Sequence, residues 1–276
     1  MFRNITIGQY YPSDSIIHKL DPRVKLLGVI VYIAALFIIN NIWGFIFLTA
    51  ALAALIISAK VPLNFILRGM RFVWFIVILA VFFNLFFTDS DELIWQWWIL
   101  KLSSAGILKA VFFGLRLIYV IVGAAMLTYT TTPTSLTSGL EKVFTPLAKI
   151  HFPAHEIAMM MSIALRFIPI LAEEVGKITK AQIARGAEFD TGGIVAKAKG
   201  MIPILVPLFV SAFRRATDLA TAMEARGYKG GEGRTKMFPL KYESRDKAAY
   251  IVILIYLIAA IAIRVLMDMF VAFGRV

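Results

Sequence analysis

A helix crosses the ~30 Å hydrocarbon core of a bilayer only if about 20 consecutive residues are mainly apolar. This chain contains five runs that meet or approach that demand, at roughly 24–39, 42–59, 72–88, 105–130 and 248–270. Such runs leave little freedom of fold. Backbone N–H and C=O groups in lipid must find partners, and a helix satisfies them within one segment. Composition points the same way: 60% of the 276 residues are hydrophobic and mean hydropathy is +0.80, against about 45–50% apolar in soluble domains. The expectation is an all-α membrane protein with about five transmembrane helices. The first apolar run is expected to stay as a spanning helix. Residues 1–23 hold Pro12, Asp14, His18, Lys19, Asp21 and Pro22 and no uninterrupted apolar stretch of the signal-peptide type.

Charge distribution sets the orientation. The net charge is +12, and in a membrane protein basic residues collect in cytoplasmic loops. Arg3, Lys19, Arg23 and Lys25 precede or open the first run, and Lys60, Arg68 and Arg71 lie between the second and third. Section 131–247 carries 17 Lys/Arg against 11 Asp/Glu. With five spans these three segments share one face. The opposite loop, 89–104, has Asp89, Asp91 and Glu92 against Lys101, and carries Trp95, Trp97 and Trp98, which suit a membrane interface. The N-terminus and section 131–247 are therefore expected inside, and the C-terminus outside, in the cytoplasmic membrane. Asn40-Asn41 alone joins the first two runs, so they read as a helical hairpin.

Section 131–247 is amphipathic and predicts three further helices. A short one covers about 136–150. A longer one opens at Pro153, runs to about 185 and is interrupted at Pro169. The third covers about 201–226, with Pro203 and Pro207 near its start, where proline is tolerated. Two of these helices close on the same tripeptide: Ala184-Arg185-Gly186 and Ala225-Arg226-Gly227. Behind each arginine runs the same spacing. Leu171, Val175, Ile178, Gln182 and Arg185 step by four, three, four, three, and so do Ala212, Ala216, Leu219, Met223 and Arg226. That is helix–helix seam spacing, and each arginine prolongs the seam. Ala212 and Ala216 permit close approach. Glu173, Glu174, Lys177, Lys180, Arg214, Arg215, Asp218 and Glu224 fall on the intervening faces.

The bland reading of one such tripeptide is a capped helix end. Cations in a last turn favour the helix dipole, and glycine is the common stop. Two copies with matching stripes raise a functional reading, a pair of basic tips. A guanidinium makes bidentate bonds to carboxylates, so each tip suits an acidic cleft on a partner outside the membrane.

The stretches TYTTTPTSLTSGLEKVFTPL, FPAHEIAMMMSIALRFIPILAEEVGKITKAQIARGAEF and PILVPLFVSAFRRATDLATAMEARGY resemble the transmembrane (T) component of energy-coupling factor transporters, ABC-type importers of vitamins and metal ions. The resemblance covers nearly the whole chain. It implies an N-terminal membrane region at 1–130 with four spans, a region of three long amphipathic cytoplasmic coupling helices at 131–247, and a C-terminal transmembrane helix at 248–276. It further implies that Arg185 and Arg226, flanked by Ala184, Gly186, Ala225 and Gly227, dock on two cytoplasmic ATPase subunits. A separate substrate-binding S component in the membrane would receive the motion.

Other chemistry finds little footing. No cysteine is present, which excludes disulfides, thiol catalysis and Cys-ligated metals. No G-x-x-x-x-G-K-[ST] occurs, and Gly231-Glu232-Gly233 lies in a polar loop, so ATP is expected on partner subunits and no cofactor or metal in this chain. Pro153 splits His151 from His155, and no third ligand accompanies them. Glu173-Glu174 is half of a membrane-hydrolase pattern without its other half. Nucleic acid is not an expected partner, because the charge is explained by cytoplasmic loops. A self-contained secondary permease is the alternative reading. It would need polar groups at mid-membrane, for which Arg116 and Asn84 are the candidates. Arg116 is instead expected to hold a structural pair, with Asp268 as the suggested partner.

Overall fold

The computed structural model describes residues 10–87, 93–97, 100–146, 153–187, 193–230 and 239–273. Its elements run α1 Pro22–Ile38, α2 Ile42–Ala59, α3 Leu63–Gly69, α4 Arg71–Phe87, β1 Leu93–Trp97, β2 Leu100–Ser103, α5 Ser104–Thr130, α6 Pro133–Phe144, α7 Ala154–Ala184, α8 Ile194–Ala225 and α9 Ser244–Phe273. The chain is an all-α membrane protein with one added feature. Within the loop expected between the third and fourth spans, β1 and β2 pair antiparallel, Trp97 opposite Leu100. The aromatic and aliphatic residues that suit an interface also favour extended backbone.

Length and hydropathy admit five helical segments as spans: Ile42–Ala59, Gly106–Thr130, Ala154–Ala184, Lys199–Ala225 and Ser244–Met267. The bent pair α3 and α4, angled at 70°, makes a sixth if counted as one span. Three of the five coincide with the spans read from sequence. The others are α7 and α8, whose apolar first halves raise their hydropathy, whereas α1 is 17 residues long.

The chain divides into two compact units. One joins the described residues up to Gly139 with those from Leu240 onward; the other is Leu140–Pro239. In the first unit α5 packs against α1, α2 and α4, and α9 against α1 and α2. Leu36, Ile39, Leu48 and Ala260 are fully buried there, with Phe45, Tyr119, Val122 and Met126 around them. The expected α1–α2 hairpin differs in detail, because both helices lie mainly against α5 and α9. Close approach depends on Gly123, where a Cβ would collide with the Tyr32 ring.

Two helix ends in this unit are closed by three cations from elsewhere. Arg116 Nη2 donates to Ile39 O and to Asn40 Oδ1, both at 2.8 Å, and Arg264 Nη1 donates to Ile38 O at 2.8 Å. Those carbonyls are the last of α1, the negative end of its dipole. Arg116 is therefore structural, but its partners are the α1 terminus and Asn40. The Asp268 side chain lies outside the described residues. Lys25 Nζ likewise donates to Thr130 O, the last carbonyl of α5, at 2.8 Å.

In the second unit α7 passes through Pro169 without a break, and α8 starts at Ile194, so Pro203 and Pro207 fall inside it. The expected interruption and later start are both corrected. Each proline removes one helical hydrogen bond, and side chains can replace it. Pro207 has no N–H for the carbonyl of Pro203, four residues back; Gln182 Nε2 of α7 donates to that oxygen at 3.3 Å.

Candidate functional site

α7 and α8 lie side by side, and two contacts fix their direction. Gln182 meets Pro203, and Arg215 Nη2 bonds Glu174 Oε2 at 3.4 Å. Partners late in α7 are early in α8, so the helices run antiparallel. Their C-termini, and hence the two Ala-Arg-Gly tripeptides, stand at opposite ends of the pair. Counting ~1.5 Å per residue from the Gln182–Pro203 and Glu174–Arg215 contacts in turn, the two arginines are separated by roughly 33–39 Å along the pair.

Both tips are built alike. Gly186 has φ +85° and Gly227 φ +73°. At the first, Gly186 N donates to Ile183 O at 2.9 Å and Ala187 N to Gln182 O at 3.0 Å. At the second, Gly227 N donates to Glu224 O at 2.9 Å and Tyr228 N to Met223 O at 3.0 Å. This is the Schellman closure, with arginine as C-cap and glycine in the left-handed position. A Cβ on either glycine would meet nothing within 4 Å, so the backbone angle, not space, requires glycine. Arg185 and Arg226 are exposed, as are Ala184 and Ala225; the backbone N–H of each arginine is bonded within its own helix end, and neither guanidinium has a partner among the described residues. The tips thus offer two guanidinium groups, each at the end of a rigid helix.

The seam behind them departs from the sequence pattern. Leu171, Val175, Ile178 and Gln182 are half-buried as expected, but Arg185 and Arg226 leave the seam for solvent. On α8 from residue 201 onward the half-buried residues are Ile204, Leu208, Ser211, Ala212, Arg215, Leu219 and Met223, whereas Ala216 is exposed. Arg215 and Glu174, read from sequence as solvated, face each other across the helices. A 3.6-residue turn drifts around a strict seven-residue stripe, and the ion pair takes the position left to Ala216. Spacing of 41 residues between Glu174 and Arg215 gives no sequence signal. The Pro203–Pro207 spacing does, since it marks an orphaned carbonyl.

The remaining candidates sit elsewhere. His155 Nδ1 lies 3.1 Å from Glu141 Oε1, joining the start of α7 to α6. His151, Gly231, Glu232 and Gly233 are outside the described residues. Among the described residues no three His, Cys, Asp or Glu side chains gather as metal ligands. Asn84 Nδ2 donates to Ala80 O at 3.1 Å, within its own helix.

The site thus belongs to a multi-pass helical membrane protein whose antiparallel arm ends in two matched basic tips. Comparison makes the class specific. The family model described as cobalt transport protein matches residues 13–237. The chain is 47% identical over 266 residues to the energy-coupling factor transporter transmembrane protein of Clostridium kluyveri, covering 96% of this chain and 98% of that one. It is 48% identical over 246 residues to the same-named protein of Ruminiclostridium cellulolyticum, covering 89% and 92%. For that of Bacillus subtilis the identity is 41% over 255 residues, covering 92% and 96%. The chain belongs to the family of transmembrane (T) components of energy-coupling factor transporters.

Proposed function

We propose that this protein is the non-catalytic coupling subunit of an energy-coupling factor importer. Arg185 and Arg226 dock on two cytoplasmic ATPase subunits, and the α7–α8 arm carries their ATP-driven motion to a separate substrate-binding membrane subunit for uptake of a vitamin or metal ion. The observation that carries this reading is the duplicated tip: the same closure, the same exposed arginine, at opposite ends of one arm. Two sockets roughly 35 Å apart would be engaged together, and their approach on binding ATP would push on both ends of the arm. The apolar stripe Ile202, Leu205, Phe209 and Phe213, each more than half exposed, offers a surface for lipid or for a hydrophobic subunit. In this reading residues 131–247 and the N-terminus face the cytoplasm, residues 1–130 supply four spans and 248–276 the last, and the chain itself neither binds nor hydrolyses ATP.

The test is co-purification with the ATPase subunits. Arg185→Ala combined with Arg226→Ala is expected to abolish stable association while the protein still inserts in the membrane. Full retention of assembly and uptake by the double variant would overturn the docking role.

A further inference from the structure

Two cavities meet in the first unit, and together they have the form of a phospholipid. The larger, about 610 Å³, is an apolar cleft among α1, α2, α5 and α9, lined by Gly28, Val29, Ala54, Leu127, Ala249 and Val252 among others. Its size falls within the ~300–1,000 Å³ of ligand sites. Ala54 and Val252 are exposed, so the cleft opens outward. The smaller, about 120 Å³, is lined mainly by polar residues: His18, Lys25, Thr130, Thr131, Thr132 and Ser135. Leu20, Lys25 and Thr130 line both, so the polar chamber sits at one end of the apolar cleft.

The polar chamber is set for an anion. Thr131 is 4% exposed, and its Oγ1 has no hydrogen-bond partner among the described residues. Lys25 Nζ gives two protons, to Thr130 O at 2.8 Å and His18 O at 3.1 Å, and keeps a third. The 12-residue helix α6 begins at the same wall, Thr132 Oγ1 capping Ser135 N at 3.3 Å, so its positive dipole end faces the chamber. Burial lowers the His18 pKa, and its ring is engaged on both sides, Nε2 with Tyr11 O and Nδ1 with Ser15 Oγ. The nearby carboxylates are occupied. Asp21 is held by Arg23 at 2.7 Å, and Asp246 accepts from Asp21 N and Glu243 N, both at 2.8 Å. Neither lines either cavity. At the cleft rim Arg245 adds a second cation, shared with Glu243 at 2.7 Å.

We propose that the joined cavities hold one anionic phospholipid, its phosphate between Lys25, Thr131 and the start of α6, and an acyl chain in the apolar cleft. A basic chamber between spanning helices is a recurrent setting for anionic headgroups. The lipid would fill space that α1, α2, α5 and α9 leave open and satisfy the buried Thr131 hydroxyl.

Native mass spectrometry of the protein released from nanodiscs of equal phosphatidylglycerol and phosphatidylcholine provides the test. The expected result is one retained phosphatidylglycerol, favoured about fivefold over phosphatidylcholine. Thr131→Val is expected to cut that preference at least twofold with folding intact, and Ala54→Trp, at an exposed cleft position, to remove the bound lipid. Equal retention of the two lipids, or unchanged retention in both variants, would overturn the proposal. Stabilisation by inorganic phosphate alone, equal in the parent and Ala54→Trp, would also overturn it, because the chamber would then act without the cleft.

Discussion

The two units of this chain hold together by different means. In the first, α1, α2, α3, α5 and α9 share a core in which Leu36, Leu48 and Ala260 are fully buried, and cations from neighbouring helices close the ends of α1 and α5. In the second, α7 buries only Ala154 and Ala158 and the apolar span of α8 buries nothing. That arm is joined by a half-buried seam, one ion pair and one side-chain bond to a proline-freed carbonyl. A unit with a packed core resists change at any interior point. An arm with little interior takes its stability from its own helical hydrogen bonds and from whatever covers its apolar faces.

The sharpest way to break this contrast is to fill one glycine in each unit. Gly123→Ala is expected to cost about 2–3 kcal/mol or more, because the methyl collides with Tyr32. Gly176→Ala in α7 meets nothing within 4 Å and should stabilise by about 0.5–1 kcal/mol. Thermal unfolding in detergent checks both, and equal effects would erase the distinction. A paired truncation has an effect of similar size. Leu48→Ala should destabilise by about 2–5 kcal/mol and the half-buried Leu219→Ala by roughly 1.

Smaller effects sharpen the comparison within the arm. Gly186→Ala and Gly227→Ala each force alanine into the left-handed region, at about 1 kcal/mol. Hydrogen exchange at Ala187 and Tyr228 N–H should quicken by a similar factor at both tips, with global melting unchanged. A response at one tip only would show that the two closures are not equivalent. The smallest expected effect is on pH. Burial pushes the Asp21 carboxyl up, but the hydrogen bonds and charge of Arg23 outweigh it and hold the pKa below 3.8. Ionised Asp21 therefore stabilises the folded first unit fully above that value, and the contribution is lost as pH falls through the lower folded pKa. In Asp21→Asn this part of the acid dependence should flatten.

Much of the fold was legible because the bilayer demands long apolar helices. The runs at 42–59, 105–130 and 248–270 match α2, α5 and the apolar part of α9 closely. The tips were legible too, since Ala-Arg-Gly carries its own stop signal and both glycines take positive φ. The seam was legible only in α7. In α8 the spacing favoured Ala216, and the ion pair of Arg215 with Glu174 decided otherwise.

By itself, then, the sequence determined what local chemistry enforces: apolar length, charge bias, and a glycine wherever a helix must end left-handed. Tertiary structure decided what depends on contacts distant in sequence. It placed Arg116 and Arg264 on the last carbonyls of α1, gave Pro203 its donor from Gln182, and set the two tips at opposite ends of an antiparallel arm. The physical reason is common to all three. A helix end or a proline announces an unsatisfied carbonyl in the sequence, but the group that satisfies it is chosen by which helix packs beside it.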